Sequence, residues 1–220
     1  MIYDFHTHTF FSDGVLSPVE LARRAVEQGY GCLGIADHAS ASNMEYLIRN
    51  LAKDAELVEK YWPIKVLIGV ELTHVPAEAV DELARAAKKI GAQYVVVHGE
   101  TVTEPVVKGA NLAAVKSAHV DILAHPGMIG EEEAKLAAEN RVFLEITSRG
   151  GHNTTNGHVA ALARKCGALM LVDSDAHGPE DLMSGERVLL VASGAGLNPD
   201  EVKTALERNP LLLLKKIKAE

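Results

Sequence analysis

The sequence predicts an α/β fold, a (β/α) barrel of seven strands forming a single domain, and three observations support this prediction. Apolar runs of strand length alternate with helical segments, which indicates a parallel sheet covered by helices. Six of these runs are followed at once by His, Asp or Glu. No segment of the 220 residues resembles a linker. Because nearly every strand delivers such a residue, we favour a barrel over a doubly wound sheet, which would concentrate its site at one switch point.

Turn and capping residues divide the chain into elements. Strands are expected at about residues 2–6, 32–36, 65–70, 93–97, 121–124 and 142–146, and in the stretch 169–177. Ser17 and Pro18 begin the first helix and Gly29 ends it. Further helices are expected at about 43–61, 76–90 and 156–165 and from about 111 and 130.

The last part of the chain is predicted to cover the barrel. Helices are expected from about residue 184, one of them capped by Asn198. The tail that follows contains four consecutive leucines, 211–214. We expect these leucines to pack on the barrel, and a contact between two copies of the chain is the alternative. On this interpretation residues 1–220 form one domain.

Composition excludes several classes of protein. The net charge is -8 and basic runs are absent, which argues against nucleic-acid and membrane-surface binding. No apolar stretch reaches the roughly 20 residues of a membrane span, and the N-terminus lacks the pattern of a signal peptide. We therefore expect a cytoplasmic protein. Its two cysteines, Cys32 and Cys166, are expected to be buried free thiols.

The residues at the strand ends indicate a metal centre. They are His6 and His8, Asp37 and His38, Glu71, His98, His125, and Asp173, Asp175 and His177. The last three alternate, so on an extended chain they would point to one side. A single histidine of this kind is usually a packed core residue, but so many polar groups at one place would be costly without a ligand. Imidazoles mixed with carboxylates favour zinc, manganese or iron.

The same residues resemble the PHP (polymerase and histidinol phosphatase) family of metal-dependent phosphoesterases. The resemblance extends from Tyr3 to about Gly178 and is carried by Asp4-Phe-His-Thr-His8, Ser12-Asp-Gly14, Ile35-Ala-Asp-His38, Gly69-Val-Glu71, His98, Ala124-His-Pro-Gly127 and Asp173-Ser-Asp-Ala-His177. It implies a distorted, TIM-like (β/α)7 barrel with up to three divalent metal ions. The implied ligands are His6, His8, Glu71 and Asp175 for one ion, Glu71, His98 and His125 for a second, and Asp13, His38 and His177 for a third.

From this resemblance we expect the chain to hydrolyse a small phosphate monoester, such as histidinol phosphate or a nucleotide. A hydroxide bridging two ions would attack phosphorus, with Glu71 as the bridging carboxylate. Arg149, in the loop after the sixth strand, is the candidate for holding a phosphate oxygen, and His152 is the candidate for contacting substrate or protonating the leaving group. Asp37 and Asp173 are expected to orient imidazoles or cap loops.

Three other functions are compatible with parts of this pattern. A metal-dependent amidohydrolase also begins with His-x-His on a barrel strand, but Asp175-x-His177 and the Ser-Asp-Gly turn favour the phosphoesterase. PHP relatives include exonucleases and nucleotide phosphatases; the lack of basic runs makes nucleic acid an unfavoured partner and leaves a single nucleotide open. A metal-binding regulatory domain without turnover is the third alternative. His74, His119 and His158 are assigned structural roles, although His74 is near enough to Glu71 to support a ligand.

Overall fold

Strands and helices alternate along residues 1–219, the part of the chain that the computed structural model describes. The strands are β1 Ile2–Asp4, β2 Tyr30–Ile35, β3 His38–Ala39, β4 Lys65–Leu72, β5 Tyr94–His98, β6 Ile122–Ala124, β7 Phe143–Thr147 and β8 Met170–Asp173. The α-helices are α1 Pro18–Glu27, α2 Met44–Tyr61, α3 Val80–Ile90, α4 Ala110–Lys116, α5 Glu131–Asn140, α6 Asn156–Cys166, α7 Gly185–Gly194, α8 Pro199–Lys203 and α9 Asn209–Ala219. Short 3-10 turns cover Ala77–Ala79 and His152–Thr155, and one π turn covers Thr204–Arg208.

The strands form one parallel sheet in the order β1-β2-β4-β5-β6-β7-β8. The two-residue strand β3 pairs with the end of β4, where His38 lies opposite Glu71. β3 continues the line of β2 after a break at Ala36 and Asp37, so β2 and β3 correspond to one predicted strand with its downstream end. The predicted seven-stranded barrel is therefore confirmed, with one strand interrupted close to the expected site.

The ring closes between β1 and β8, and we call this junction the seam. One parallel backbone bridge, at Thr7, crosses it. Two buried carboxylates make further connections: Asp173 Oδ1 accepts a hydrogen bond from Phe5 N at 2.7 Å, and Asp4 Oδ1 accepts one from Ser174 N at 3.2 Å. Burial and the neighbouring charge of Asp4 raise the pKa of Asp173 well above its usual range. Side chains thus replace much of a backbone ladder at the seam.

The predicted alternation at the end of β8 is wrong. The strand ends at Asp173, and Asp175 has a φ of +52°, in the left-handed region. Because the chain turns there, Asp173 and Asp175 do not point to the same place. Asp173 enters the seam, whereas Asp175 lines the cavity at the end of the barrel. The turn assigns a structural role to one carboxylate and a site position to the other.

Apolar side chains around Tyr94 fill the interior of the barrel. These side chains are Phe5, Cys32, Leu67, Val96, Ile122, Ala124, Phe143, Leu171 and Leu213. Gly69 permits this packing, because a Cβ there would lie 2.4 Å from Tyr94 Cζ. Gly34 does the same on β2, where a Cβ would lie 2.5 Å from the Tyr94 hydroxyl oxygen. The polar groups at the C-terminal ends of the strands therefore lie directly above a closely packed apolar interior.

Helix α9 lies against the opposite end of the barrel. Its Leu213 is completely buried in the interior cluster. At its start, Asn209 Nδ2 donates to Met170 O at 2.7 Å, and further along Lys216 Nζ lies 2.8 Å from Asp121 Oδ1. Two other leucines of the tail are about half exposed. The helix closes this end of the barrel, and a contact between copies of the chain stays a prediction.

From the sequence, the two cysteines are expected to be buried free thiols. Both cysteines are free. Cys32 is buried in the barrel as predicted, whereas Cys166, at the end of α6, is only partly buried because the last turn of that helix reaches the surface. Within residues 1–219, every helix is too short or too polar to cross a bilayer.

Candidate metal centre

The predicted metal ligands converge on one cavity at the C-terminal ends of the strands. Its volume is about 470 Å³. Six of the predicted ligands line it: Asp13, His38, His98, His125, Asp175 and His177. The other three, His6, His8 and Glu71, lie underneath and are at most 1% exposed. Side chains separated by up to 171 residues in the sequence (6 to 177) thus meet at one place.

The deepest group contains the first predicted ligand set. His8 Nε2 lies 3.2 Å from Asp175 Oδ1, and His6 Nε2 lies 3.8 Å from the same oxygen. Glu71 is on the other side, with Oε1 3.4 Å from His6 Nε2 and Oε2 4.0 Å from His8 Nε2. The two imidazoles and two carboxylates therefore face a common point.

The donor atoms of this group fit a divalent cation. His6 Nε2, His8 Nε2 and Glu71 Oε1 are buried and have no hydrogen-bond partner among the described residues. Buried polar atoms without partners are costly, and a metal ion would satisfy all three together. Two nitrogens and carboxylate oxygens are a ligand set typical of zinc, manganese and iron sites. The residues present thus fit the implied metal.

The electrostatics of the group agree with metal binding. Burial opposes ionisation of Glu71, but the charges of His6 and His38 outweigh it and hold its pKa well below the usual range. Burial likewise opposes ionisation of Asp175, yet the neighbouring imidazoles lower its pKa. Burial also lowers the pKa of His125, well below that of a free imidazole. Metals bind ionised carboxylates and neutral imidazoles. Burial lowers the pKa of His6, but the charges of Glu145, Asp175 and Glu71 outweigh burial and hold it well above its usual range, so a metal ion would displace the proton of this imidazole.

A second group lies closer to the mouth of the cavity and contains the third predicted set. Asp13 Oδ1 is 3.2 Å from both His38 Nε2 and His177 Nε2. Together with His8 these residues form a cluster whose potential ligand atoms lie within 4.8 Å of one another. On the other side of its ring, His38 Nδ1 is 2.7 Å from Thr73 Oγ1 and 2.6 Å from Glu71 Oε2. His38 therefore connects this group to the deepest one.

The remaining predicted set is divided between two places. His125 Nε2 lies 3.7 Å from Glu71 Oε1, within a cluster that also contains His6. His98 instead directs Nε2 toward Glu104, with Oε1 at 2.8 Å. Its ring still packs edge-on against His125, with centroids 4.5 Å apart. Binding of His98 to an ion shared with Glu71 stays a prediction.

Glu145, which the sequence analysis did not select, holds two of the ligands in place. Its Oε1 is 2.7 Å from His6 Nδ1, and its Oε2 accepts a hydrogen bond from the His125 backbone N–H at 2.7 Å. A carboxylate on one imidazole nitrogen fixes the proton there and leaves the other nitrogen for a metal. Glu145 is completely buried in β7 between Leu144 and Ile146. An acidic residue at the centre of an apolar strand was the available signal.

Arg149 and His152 both line the cavity, on the side of the β7–α6 loop. Arg149 Nη1 is 3.3 Å from Asp181 Oδ2, an oxygen that also accepts the backbone N–H groups of His177 and Gly178. The ring of His152 lies 4.4 Å from that of His125. Burial lowers the pKa of His152, and its Nδ1 has no hydrogen-bond partner among the described residues. Their places suit contact with a substrate, and their roles stay predictions.

The other selected residues divide between structure and site. Asp37 accepts hydrogen bonds from Thr9 N, Thr9 Oγ1 and Ser12 Oγ, so it caps the loop after β1 as predicted. His158 Nε2 is 2.8 Å from Ile129 O, a structural contact between a helix and a loop. His74, in contrast, lines the cavity, with its ring 4.8 Å from that of His98.

Several residues that border the cavity have a left-handed backbone conformation. Within residues 1–219, non-glycine residues with positive φ are His74 at 53°, His125 at 26°, Arg141 at 54° and Asp175 at 52°. Three of the four border the cavity. A left-handed backbone costs free energy for residues with a Cβ and persists where surrounding structure enforces it, most often at functional sites.

Comparison with known proteins agrees with this geometry. An uncharacterized protein of Methanocaldococcus jannaschii is 50% identical over 218 residues, which cover 99% of this chain and 100% of that protein. A probable phosphatase of Thermoanaerobacter sp. (strain X514) is 30% identical over 224 residues, covering 92% of this chain and 89% of the relative.

Solved structures show the same fold. A crystal structure of a candidate histidinol phosphatase from Listeria monocytogenes matches with a TM-score of 0.62 at 14% identity, covering 83% of this chain and 98% of that one. The PHP domain family model matches residues 4–98, which contain the motifs from His6 to His98. From these matches and the convergence of the same motifs on one cavity, the chain belongs to the PHP domain family.

Proposed function

We propose that this protein hydrolyses small phosphate monoesters with up to three divalent metal ions, of zinc, manganese or iron. The observation that carries the proposal is the arrangement of two groups of potential ligands around one cavity: the deepest group, and the group of Asp13, His38 and His177 near its mouth. Arg149 lies on the wall of the same cavity. The relatives named as phosphatases support the same reaction class.

Charge favours an anionic substrate at this place. Three divalent ions would carry +6, and the carboxylates of Asp13, Glu71 and Asp175 carry -3, which leaves +3. A phosphate monoester dianion neutralises most of this excess. The cavity can therefore attract such a dianion although the net charge of the chain is -8.

The residues of the chain would divide the work. Bound metal ions supply Lewis-acid chemistry, which lowers the pKa of water and stabilises charge on phosphoryl oxygens. Glu145 orients His6, and Thr73 lies against His38, so both imidazoles keep their positions. Arg149 offers forked N–H donors to a phosphate oxygen while Asp181 holds it against the wall. His152 is placed to contact the leaving group. Burial lowers its pKa and favours the neutral imidazole, which would donate an N–H hydrogen bond to the leaving group rather than transfer a proton.

The size of the cavity limits the substrate. A volume of about 470 Å³ accommodates a phosphate ester of an amino alcohol or a nucleoside. Histidinol phosphate and single nucleotides are therefore in the proposed range. The amidohydrolase alternative predicts instead that amides or lactones are cleaved at the same metal centre.

The test compares these reactions in one preparation. Purified protein of measured metal content is assayed with p-nitrophenyl phosphate, histidinol phosphate, nucleoside monophosphates, a phosphodiester, and amide and lactone substrates. We expect turnover of monoesters, and Glu71→Gln should reduce kcat/KM by about 100-fold or more, because it removes a central carboxylate. Cleavage of amides without cleavage of phosphoesters would contradict the proposal, as would full activity and metal content in the variant.

A further inference from the structure

A second cleft lies at the end of the barrel opposite the metal centre. Its volume is about 630 Å³, larger than the cavity of the metal centre at about 470 Å³. Phe143, which begins β7, and Leu169, which precedes β8, are in its wall, whereas the predicted metal ligands lie at the other ends of the strands. The ends of α5 and α6 and part of helix α9 complete the wall. The cleft is therefore separate from the proposed phosphoesterase site.

The inner wall of the cleft is apolar. Phe143 belongs to the cluster that fills the barrel interior and is only 2% exposed, and Leu169 packs against the same cluster. Helix α9 adds Leu212, which is 48% exposed although the neighbouring Leu213 is completely buried. Apolar surface of this kind gains free energy when an apolar group covers it.

The rim of the cleft is positively charged. Arg141, Lys215 and Lys216 line it, and none of the described residues that line it is acidic. Lys216 Nζ lies 2.8 Å from Asp121 Oδ1, whereas Arg141 and Lys215 are exposed and their side chains form no hydrogen bond or ion pair within residues 1–219. Their two charges exceed the partial charges of about -0.5 at each of the C-terminal ends of α5 and α6. In a chain with a net charge of -8, this rim is a local site for an anion.

The dimensions of the cleft favour a small molecule over a macromolecule. A stable protein interface buries about 800 Å² on each partner and involves roughly 20–30 residues a side, whereas nine described residues line this cleft. Its volume of about 630 Å³ is typical of a pocket for a small ligand. An anionic membrane surface would repel a chain with a net charge of -8.

We propose that this cleft binds a small amphiphilic organic anion. The apolar body of the ligand packs against Phe143, Leu169 and Leu212, and its carboxylate or sulfonate group pairs with Arg141 and Lys215, which offer forked N–H donors and an ammonium group. Because Leu212 is next to the leucine that α9 inserts into the barrel, an occupied cleft holds α9 more firmly against the barrel. This site does not depend on the proposed phosphoesterase function.

The test uses a fluorescent probe, anilinonaphthalene sulfonate, which is an anion with an aromatic body. Metal-loaded protein is titrated with the probe, and decanoate is then added to displace it. One variant combines Arg141→Asn with Lys215→Gln and removes both unpaired charges; asparagine tolerates the φ of 54° at position 141. A second variant, Leu212→Glu, places a carboxylate on the apolar wall.

Matched controls make the same chemical changes elsewhere. Arg85→Gln with Lys89→Gln removes two exposed charges from α3, and Leu57→Glu changes a leucine of α2 that is 49% exposed. We expect one saturable site per chain in wild type and in both controls, and a dissociation constant at least about 10-fold larger in both cleft variants. Absence of saturable binding in wild type, or wild-type affinity in both cleft variants, overturns the proposal.

Two further measurements separate the possible failures. Inorganic phosphate, which would bind at the metal centre, should leave the probe bound; displacement by phosphate would locate the probe at that centre and reject the cleft. In wild type, decanoate should slow hydrogen exchange of residues 209–218 in α9, and an unchanged rate there also overturns the proposal. This readout needs no variant, so it stands if a substitution impairs folding. Because none of these measurements follows turnover, failure of the proposed function would leave their outcome unchanged.

Discussion

Replacing Glu145 with Gln tests whether the buried carboxylate of β7 organises the metal centre. Both of its oxygens accept hydrogen bonds at 2.7 Å, one with His6 Nδ1 and one from His125 N. A glutamine side chain has nearly the same shape but offers one acceptor oxygen and one NH₂ donor. One of the two N–H groups must then face the NH₂, so one buried hydrogen bond is lost.

The expected size of the effect follows from that loss. A hydrogen bond to a charged group contributes about 1.5–3 kcal/mol, so the free energy of unfolding of the metal-free protein should fall by about 2 kcal/mol. If the amide turns to satisfy His125, His6 loses the carboxylate that fixes its tautomer, and metal affinity should fall by about 10–100-fold. Both effects arise while every proposed metal ligand remains in place.

The assays are urea denaturation of metal-stripped protein and zinc titration by calorimetry, in Glu145→Gln and in a control, Glu139→Gln, on the exposed surface of α5. The control should match wild type in both. If Glu145→Gln bound zinc with wild-type affinity, the carboxylate would not orient His6, and its hydrogen bonds would have only a structural role.

Two further predictions concern the barrel itself. Burial raises the pKa of Asp4 to about 6. Between about pH 4 and pH 6 the folded state therefore holds a proton that the unfolded state has released. The stability of the fold falls as pH rises through this window. Asp4→Asn should remove that pH dependence. Urea denaturation from pH 4 to 7 should show that the difference in unfolding free energy between variant and wild type changes with pH by up to about 3 kcal/mol. A difference that stays constant over this range would refute the prediction. Gly69→Ala should destabilise the fold by about 1–3 kcal/mol because its Cβ would lie 2.4 Å from Tyr94 Cζ. Gly157→Ala, in α6 with no atom within 4 Å of the new Cβ, should instead stabilise it by up to about 1 kcal/mol, and thermal unfolding measures both.

The fold and the location of the site were predictable from the strand ends. His6, Glu71 and Asp175 each follow or end an apolar run, and the geometry of a parallel barrel brings such ends together without further information. That is why residues far apart in the sequence were assigned to one centre. The alternation rule failed only where the backbone leaves the extended region, at Asp175.

The supporting residues were not predictable in the same way. Glu145 lies within a strand, and a single sequence does not show that its side chain turns inward to His6. Glu104 lies in a loop whose path depends on the contacts of Glu100 with Gly109, which no periodic pattern records. Residues that support a ligand in this way depend on tertiary packing, so identifying them requires coordinates.

The seam has a consequence for how the protein is assembled during synthesis. His6 and His8 lie on one side of the seam, and Asp175 and His177 lie on the other. An ion bound between His8 and Asp175 would connect the two sides of the seam. His8 is synthesised early and Asp175 late, so the ion cannot connect them until β8 has left the ribosome. Metal capture would therefore be a late event in the maturation of the chain, and a cell short of metal would accumulate rings whose seam is held by the Thr7 bridge and hydrogen bonds alone.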